Sequence, residues 1–276
     1  MSEEQLFGPA IVSGGASGIG REVAIDLATR GCAVTIIDRQ AADETLEEIR
    51  RRGGESAAIV CDVSDSVAID QAVAEANAEY GTCRIVVNAA GISPAARVSF
   101  FHETYEEWNR MLAINAGGTF NLTRSVTRKL VDEHAPGRVV NILSTAAFMG
   151  FAGMAAYCAS KGAALLLTQT LALELAAHEI TVNGVAPGSV STGMSSEFWA
   201  ESPPKQAAAI AEHDRGRTPL GGPGRPSDVA AAVRFLAGES AAWITGTVIT
   251  VDGGFMANGT PLFDEDGRLT MPSQAS

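Results

Sequence analysis

Short runs rich in β-branched residues alternate along this chain with segments whose apolar residues recur at helical spacing. Each run is too short for a helix and lacks apolar–polar alternation, so it predicts a strand buried on both faces of a sheet. Strands that alternate with helices form right-handed βαβ units, which predicts an α/β fold with one doubly wound parallel sheet and helices on both faces. The predicted strands cover 10–12, 33–37, 57–60, 84–87, 138–143, 180–185 and 247–251.

The helical segments carry their own start and stop signals. One segment ends at Gly31, since glycine commonly ends a helix, and another covers 67–80. Thr104 with Glu107 matches a capping box and predicts the start of a long helix. The segment 155–177 is apolar almost all round, so we expect it to be covered on nearly every side, by the sheet and by another subunit.

The chain length of 276 residues approaches that of two average domains, but no composition break or Pro/Ser-rich linker divides it. With 46% apolar and 19% charged residues, the composition predicts a packed core and excludes general disorder. One domain is therefore predicted over 1–256. Its proline- and glycine-rich part, 189–226, is expected to form a partly helical flap, and 257–276 a C-terminal tail.

Charge, hydropathy and cysteine usage exclude several classes of protein. The 20 basic and 32 acidic residues give a net charge of −12, which disfavours a nucleic acid or an anionic membrane as partner. No stretch approaches 18 uncharged apolar residues, and the acidic start is unlike a secretory signal. The four cysteines are scattered, and the histidines have no metal-ligand spacing. We expect a cytoplasmic protein that binds no metal.

A glycine-rich turn directly follows the first predicted strand and precedes a helix. The spacing of Gly14, Gly18 and Gly20 is Gly-x-x-x-Gly-x-Gly, which differs from the common Gly-x-Gly-x-x-Gly fingerprint. Glycine lets the backbone approach a phosphate closely, and a helix N-terminus offers free N–H groups to it. A glycine run alone is weak evidence, because some such runs form only a tight turn. Its place between a strand and a helix favours a dinucleotide site, with Ser17 and Ile19 among its contacts.

An acidic residue closes the second predicted strand. Asp38 comes twenty residues after Gly18, where its carboxylate can accept hydrogen bonds from both ribose hydroxyls of an adenosine or can cap the next turn. A 2′-phosphate at this place brings like charges together, so Asp38 predicts NAD as the cofactor rather than NADP. The neighbouring Arg39 is the counterargument, since an arginine can pair with that phosphate.

Polar turns also follow the third and fourth predicted strands. Asp62 alone could be an N-cap, and Asn88 alone a turn residue. Because the carboxyl ends of parallel strands meet at one edge of a sheet, where open α/β sheets bind ligands, these turns together with the glycine turn predict a nucleotide site. The cofactor contacts predicted from these turns are Asp62, Val63, Asn88, Ala89 and Gly91.

A second group of residues has the chemistry of proton transfer. Tyr157 and Lys161 are four residues apart on one predicted helix and so share a face, and Ser144 ends the fifth predicted strand. A free tyrosine has a pKa of about 10, and a nearby ammonium group can lower that pKa by about 1–3 units. The phenol would then serve as an acid–base near neutral pH, while the Ser144 hydroxyl holds a substrate oxygen.

These residues together resemble the short-chain dehydrogenase/reductase family, over about residues 7–256. The resemblance implies a Rossmann-type sheet of seven strands, a homotetramer and reversible NAD-dependent hydride transfer between nicotinamide and a secondary alcohol or ketone. It rests on Gly14-x-x-x-Gly18-x-Gly20, Asn88-Ala89-Ala90-Gly91, Asn115, Ser144, Tyr157-x-x-x-Lys161 and Pro187-Gly188.

The resemblance also implies a role for each residue. Tyr157 is expected to be the acid–base, Lys161 to lower its pKa and bind the nicotinamide ribose, and Ser144 to orient the substrate oxygen. Asn115 is expected to anchor the water of a proton relay. The cofactor contacts expected after the sixth strand are Pro187, Gly188 and Thr192.

The sequence leaves the substrate open. Arg97, six residues past Gly91, could meet a carboxylate or be an ordinary solvated arginine, and the solvated alternative is favoured. The residues expected to line the pocket are Phe148, Met149, Phe151, Met154, Met194 and Phe198, which favours an apolar or mixed substrate.

Two alternatives remain. A 3-oxoacyl-[acyl-carrier-protein] reductase of the same family would need a basic docking surface and would usually use NADPH. The segment 162–180 contains no Lys or Arg, and Asp38 opposes NADPH, whereas Arg124, Arg128 and Lys129 support this alternative. The other is a nucleotide-binding protein without catalysis, which the intact set of catalytic residues opposes.

Overall fold

A computed structural model describes residues 6, 8–195, 205 and 216–257. Within these residues, seven parallel strands form one sheet in the order β3-β2-β1-β4-β5-β6-β7. The strands are β1 (Ala10–Ser13), β2 (Val34–Asp38), β3 (Ser56–Val60), β4 (Ile85–Asn88), β5 (Gly137–Ile142), β6 (Ile180–Pro187) and β7 (Val248–Val251). The predicted α/β fold and each predicted strand are confirmed, with ends that differ by one or two residues.

Helices cover both faces of the sheet. In the described part of the chain they are α1 (Gly18–Ala28), α2 (Asp43–Arg51), α3 (Ser66–Tyr80), α4 (Tyr105–Leu112), α5 (Thr119–Asp132), α6 (Ala155–Leu175) and α7 (Pro226–Ala237). Helices α1, α2 and α7 pack on one face, and α3 to α6 on the other. None of the helices described is long and apolar enough to span a membrane.

Each central strand supplies apolar side chains to two cores. Along β4, Ile85 and Val87 pack in the core under α1 and α7, whereas Val86 packs in the core under α3 and α5. This alternation explains why the central strands are apolar without interruption. The prediction that all seven strands are buried on both faces is wrong for β3 and β7, because they form the edges of the sheet and are only partly covered within one chain.

The predicted long helix begins at the Thr104 cap, whose hydroxyl accepts a hydrogen bond from the Glu107 N–H. Between α4 and α5 it contains a π-helical stretch, Ala113–Gly118, which widens the helix at Asn115. The order of the strands reverses between β1 and β4, which opens a crevice beyond their carboxyl ends. The predicted site residues gather along this edge.

Candidate active site

The glycine turn between β1 and α1 leaves no room for side chains. At Gly14, which has a φ of +72°, a Cβ would lie 2.7 Å from the backbone of Ala90, and at Gly20 it would lie 2.1 Å from the Gly14 carbonyl oxygen. Helix α1 begins at Gly18, and the N-cap residue Ser17 makes no side-chain hydrogen bond to the first turn. The N–H groups of that turn therefore have no side-chain cap, as a phosphate-binding helix terminus requires.

Two side chains hold this turn in place. The Thr45 hydroxyl, fully buried on α2, donates to the Gly15 carbonyl over 3.0 Å, and Asp38 accepts a hydrogen bond from the Ala16 N–H, also over 3.0 Å. Thr45 was not predicted as a site residue, because α2 itself is highly charged and gave no apolar pattern that would indicate a helix. These two hydrogen bonds fix the position of the turn.

Asp38 lies at the end of β2, beside the glycine turn. Its second carboxylate oxygen accepts a hydrogen bond of 3.0 Å from the Gln40 N–H, so the residue does cap the next turn. Each carboxylate oxygen can accept a further hydrogen bond, so this cap does not exclude the predicted ribose contact. The Arg39 charge acts on Asp62: hydrogen bonds from Ser64 hold the pKa of Asp62 below its usual value, and Arg39 lowers that pKa further.

The turn after β3 is fixed to the long helix. Asp62 accepts hydrogen bonds from the Ser64 N–H at 2.8 Å and the Ser64 hydroxyl at 2.7 Å, while the Val63 carbonyl accepts one from the Asn121 amide at 3.0 Å. The Val63 side chain is buried against Gly118, where a Cβ would lie only 2.5 Å away. Val63 therefore sits where the π-helical stretch passes into α5.

The Asn88–Gly91 turn follows β4. The buried Asn88 amide nitrogen donates to Thr123 and Asn141, so this side chain joins two strands and a helix inside the fold. The Ser13 hydroxyl accepts hydrogen bonds of 3.2 Å from the N–H groups of Ala89 and Ala90, which fixes the turn beside β1.

Gly91 meets the proposed catalytic residues. A Cβ at this position would lie 3.1 Å from the Asn115 Oδ1 and 3.6 Å from the Lys161 Nζ. The buried Asn115 side chain exchanges two hydrogen bonds with the backbone of Ile92 and donates a third, 2.9 Å long, to Ser160. Asn115 therefore fastens the turn after β4 to the helix that carries Tyr157 and Lys161.

Ser144, Tyr157 and Lys161 come together at the end of β5. The Ser144 side chain acts to lower the pKa of the neighbouring Tyr157 hydroxyl, and the buried Lys161 ammonium lies 5.9 Å from the centre of the Tyr157 ring. Lys161 donates to the Ile142 carbonyl over 3.0 Å. The three predicted residues thus form one cluster.

The prediction that the pKa of Tyr157 is lowered is wrong. Burial raises the pKa of Tyr157, and the Ser144 side chain only partly opposes this rise. The same burial lowers the pKa of Lys161 to about 8, because the site has few groups that solvate an ammonium ion. Lys161 directs its donor to a backbone carbonyl, and its charge does not reverse the effect of burial on the phenol.

Two further residues position Tyr157. Glu103, which lies before α4, accepts a hydrogen bond of 3.1 Å from the Ala156 N–H in the first turn of α6. Ser160 donates to the Tyr157 carbonyl at 2.8 Å and also receives the Asn115 hydrogen bond. The contacts of Glu103 with Ala156 and of Asn115 with Ser160 have no local sequence signal, since each joins segments that are far apart along the chain.

The segment after β6 returns to the glycine turn. The Gly188 N–H donates to the Val251 carbonyl over 3.0 Å, and the Thr192 methyl group lies 3.6 Å from where a Gly18 Cβ would be. Pro187 ends β6 within the core. Pro187, Gly188 and Thr192 therefore lie on the same edge as the turns after β1 and β4.

The remaining predictions concern the pocket and the flap. Phe151, Met149 and Met154 are partly buried, whereas Phe148 and Met194 are exposed. Phe198, much of the predicted flap and all of the predicted tail except Ala257 lie outside the described residues. Among the residues that the structure covers, no three His, Cys, Asp or Glu side chains are grouped as a metal site would require.

Comparisons with known proteins give consistent results. The family profile described as Enoyl-(Acyl carrier protein) reductase matches residues 14–256. The chain is 36% identical over 250 residues to 2,3-dihydro-2,3-dihydroxybenzoate dehydrogenase of Bacillus subtilis, covering 89% of this chain and 94% of that protein. It is 35% identical over 251 residues to a 3-oxoacyl-[acyl-carrier-protein] reductase of Synechocystis, covering 90% and 96%. A crystal structure from Agrobacterium tumefaciens with bound NADP matches with a TM-score of 0.83 and 32% identity, covering 92% and 98%.

Proposed function

The chain belongs to the short-chain dehydrogenase/reductase family and is an oxidoreductase acting on CH–OH groups, and on that premise we propose that it interconverts a secondary alcohol and a ketone with NAD, using Tyr157 as the acid–base. The observation that carries this proposal is the cluster of Ser144, Tyr157 and Lys161 beside Gly91, on the same edge of the sheet as the glycine turn.

The residues at this edge fit a nicotinamide dinucleotide. Gly14 and Gly20 let the turn pack tightly against its own backbone and that of Ala90, α1 presents N–H groups without a side-chain cap, and Thr192 lies against the turn at Gly18. When bound, the cofactor supplies or accepts the hydride. Asp38 is proposed to bind the adenosine ribose, and Lys161 the nicotinamide ribose.

The chain's own residues handle the proton. Ser144 holds the substrate oxygen by a hydrogen bond, and the Tyr157 hydroxyl gives that oxygen a proton during reduction or removes one during oxidation. Because burial raises the pKa of Tyr157, the phenol keeps its proton at neutral pH and is prepared for reduction. We expect oxidation of the alcohol to accelerate toward alkaline pH, where the phenolate forms more readily.

The decisive variant is Tyr157→Phe, which keeps the ring and removes the hydroxyl. Turnover should fall by about 10²–10⁴, the usual contribution of general acid–base catalysis, while NADH binding measured by fluorescence is retained. Tyr105→Phe is the matched control, because Tyr105 is an exposed residue of α4. A Tyr157→Phe protein that keeps more than a tenth of wild-type turnover on a panel of secondary alcohols, polyols and hydroxy acids would falsify the mechanism.

A second candidate function is the reduction of a 3-oxoacyl group on a carrier protein, as in the Synechocystis relative. Arg124 and Arg128 are exposed one turn apart on α5 and could contact an acidic carrier. The net charge of −12 acts against such docking. The test is turnover of acetoacetyl-[acyl-carrier-protein] with NADPH. A rate above that for every free alcohol and ketone would favour this alternative.

A further inference from the structure

Arg97 lies against the segment that connects Ser144 to Tyr157. The N–H of the next residue, Val98, donates to the Gly153 carbonyl over 3.1 Å, and a Cβ on Gly153 would come within 2.9 Å of the Arg97 Cβ. Gly153 has a φ of +78°, which allows this close approach. The backbone at Arg97 is therefore held against Gly153, which lies four residues before the acid–base Tyr157 in the chain.

The guanidinium of Arg97 is poorly satisfied. Its Nε is inaccessible to water and has no hydrogen-bond partner, and its Nη1 reaches only the Ala152 carbonyl, at the long distance of 3.5 Å. Within the described residues Arg97 forms no ion pair, whereas Arg234 and Arg30 both pair with Asp26. A buried donor of a charged group that lacks an acceptor is costly, and an arginine presents its donors in a fork that matches a carboxylate. The alternative of an ordinary solvated arginine does not account for the buried Nε.

Aromatic rings hold this guanidinium in position. Its central carbon lies 5.8 Å from the centre of the Phe151 ring, and that ring stacks on the buried Phe255 at 6.2 Å. A cation–π contact anchors the charge but supplies no acceptor to Nε. The charge is thus held beside Phe151, and Nη1, which makes one long hydrogen bond at the surface, can still donate to a ligand.

We propose that Arg97 binds a carboxylate of the substrate, so that the alcohol or ketone processed by this chain is a hydroxy acid or an oxo acid. The inference rests on the proposed function, because it assigns the substrate of the same site. A carboxylate carries one charge and so matches one arginine. The central guanidinium carbon of Arg217 lies 4.6 Å from the centre of the Phe255 ring, so the test includes a phosphate as the competing anion.

The test compares acids with their neutral analogues. The NADH-saturated protein is titrated calorimetrically with 3-hydroxybutyrate, 3-hydroxycyclohexanecarboxylate and gluconate, each beside its primary amide, and with glycerol 1-phosphate. We expect at least one acid to bind ten or more times tighter than its amide. Arg97→Gln should weaken binding of that acid at least tenfold while the amide changes less than twofold. Arg110→Gln, the matched control on the exposed side of α4, should change neither.

Three results would overturn the proposal. They are the absence of any acid preference in the wild type, an Arg97→Gln effect that is equal for acid and amide, and a preference for glycerol 1-phosphate. If Arg97→Gln does not fold, Arg97→Lys replaces it, because it keeps the positive charge and loses the planar pair of guanidinium donors. Arg97→Lys should retain part of the preference for the acid. Tyr157→Phe separates the two proposals, because it should lose turnover and keep the preference for the acid. A variant that keeps its turnover would contradict the proposed function and leave the role of Arg97 unaffected.

Discussion

The two oxygens of the Asp38 carboxylate each accept a hydrogen bond from the backbone. Through Ala16 it fixes the glycine turn, and through Gln40 it shapes the start of the following loop. These contacts hold the carboxylate at the end of β2, where a fixed negative charge distinguishes a ribose hydroxyl from a 2′-phosphate. The Arg39 charge also lowers the pKa of Asp62. Because this charge acts on two carboxylates, we expect it to offset the charge of Asp38 only in part.

We therefore expect NAD to be preferred over NADP by at least tenfold in kcat/KM. Two unit charges 4 Å apart repel by about 4 kcal/mol at an effective dielectric near 20, and ~1.4 kcal/mol suffices for a tenfold preference. Asp38→Ser should shrink or reverse the ratio in steady-state assays with both cofactors. Asp43→Ser removes an exposed carboxylate of α2 and should leave the ratio unchanged. Equal use of both cofactors by the wild type would contradict this role of Asp38.

The buried Lys161 makes stability depend on pH. Its pKa falls from 10.5 to about 8 on folding, so between these values the unfolded chain holds a proton that the folded chain has released. The free energy of unfolding then rises with pH across this interval. Relative to Lys161→Met, the wild type should gain stability from pH 8 to pH 10, by a limit of about 3 kcal/mol, and the difference should be constant below pH 7.

Urea unfolding of the ligand-free protein at several pH values measures this difference. Lys129→Met is the control, because Lys129 lies at the surface of α5 in an ion pair with Glu133. A wild-type stability that runs parallel to Lys161→Met across the whole range contradicts a lowered pKa.

At the scale of elements, helix α2 holds the glycine turn between β1 and α1 in place. Thr45 is the link, because its buried hydroxyl donates to Gly15 and also lies 3.4 Å from the Ala16 carbonyl oxygen. Thr45→Val keeps the shape and removes the donor, leaving a buried carbonyl unsatisfied at a cost of about 1–3 kcal/mol.

We expect Thr45→Val to lower the free energy of unfolding by that amount and to weaken NADH binding several-fold, because the glycine turn is no longer held. Thr29→Val removes a hydroxyl that donates to the Ile25 carbonyl at the C-terminal end of α1, away from the turn. Fluorescence titration should show unchanged NADH affinity for this control. Equal affinity in both variants would mean that α2 does not support the turn.

Predictability also differs between elements. Central strands are evident in the sequence because burial on both faces demands an apolar run, and motif residues such as Tyr157 follow from their spacing. The sequence gives no clear sign of helix α2, because Leu46 and Ile49 are the only large apolar residues among its nine. Glu103 and the raised pKa of Tyr157 depend on which segments the fold brings together, so no local pattern predicts them.

At the scale of the whole molecule, one surface is unusually apolar for a chain with a net charge of −12. Helix α6 buries only part of its surface against the sheet, and Leu166 and Leu173 are 64% and 83% exposed within one chain. Phe120 on the neighbouring α5 is also exposed. A contiguous exposed apolar patch of this kind indicates a protein interface. Small residues along α6, such as Gly162 and Ala163, allow another helix to approach closely.

We therefore expect a homotetramer in which α6 packs against α6 or α5 of other subunits, with a dimer as the alternative. Multi-angle light scattering at micromolar concentration should give a mass near four times the 28.6 kDa of one chain. Leu173→Glu places a charge in that interface and should yield dimers or monomers. Val60→Glu makes the same kind of change at the exposed end of β3 and should leave the mass unaltered, which separates loss of an interface from added charge. A wild-type protein that is monomeric at this concentration would show that the exposed face of α6 is not a subunit interface.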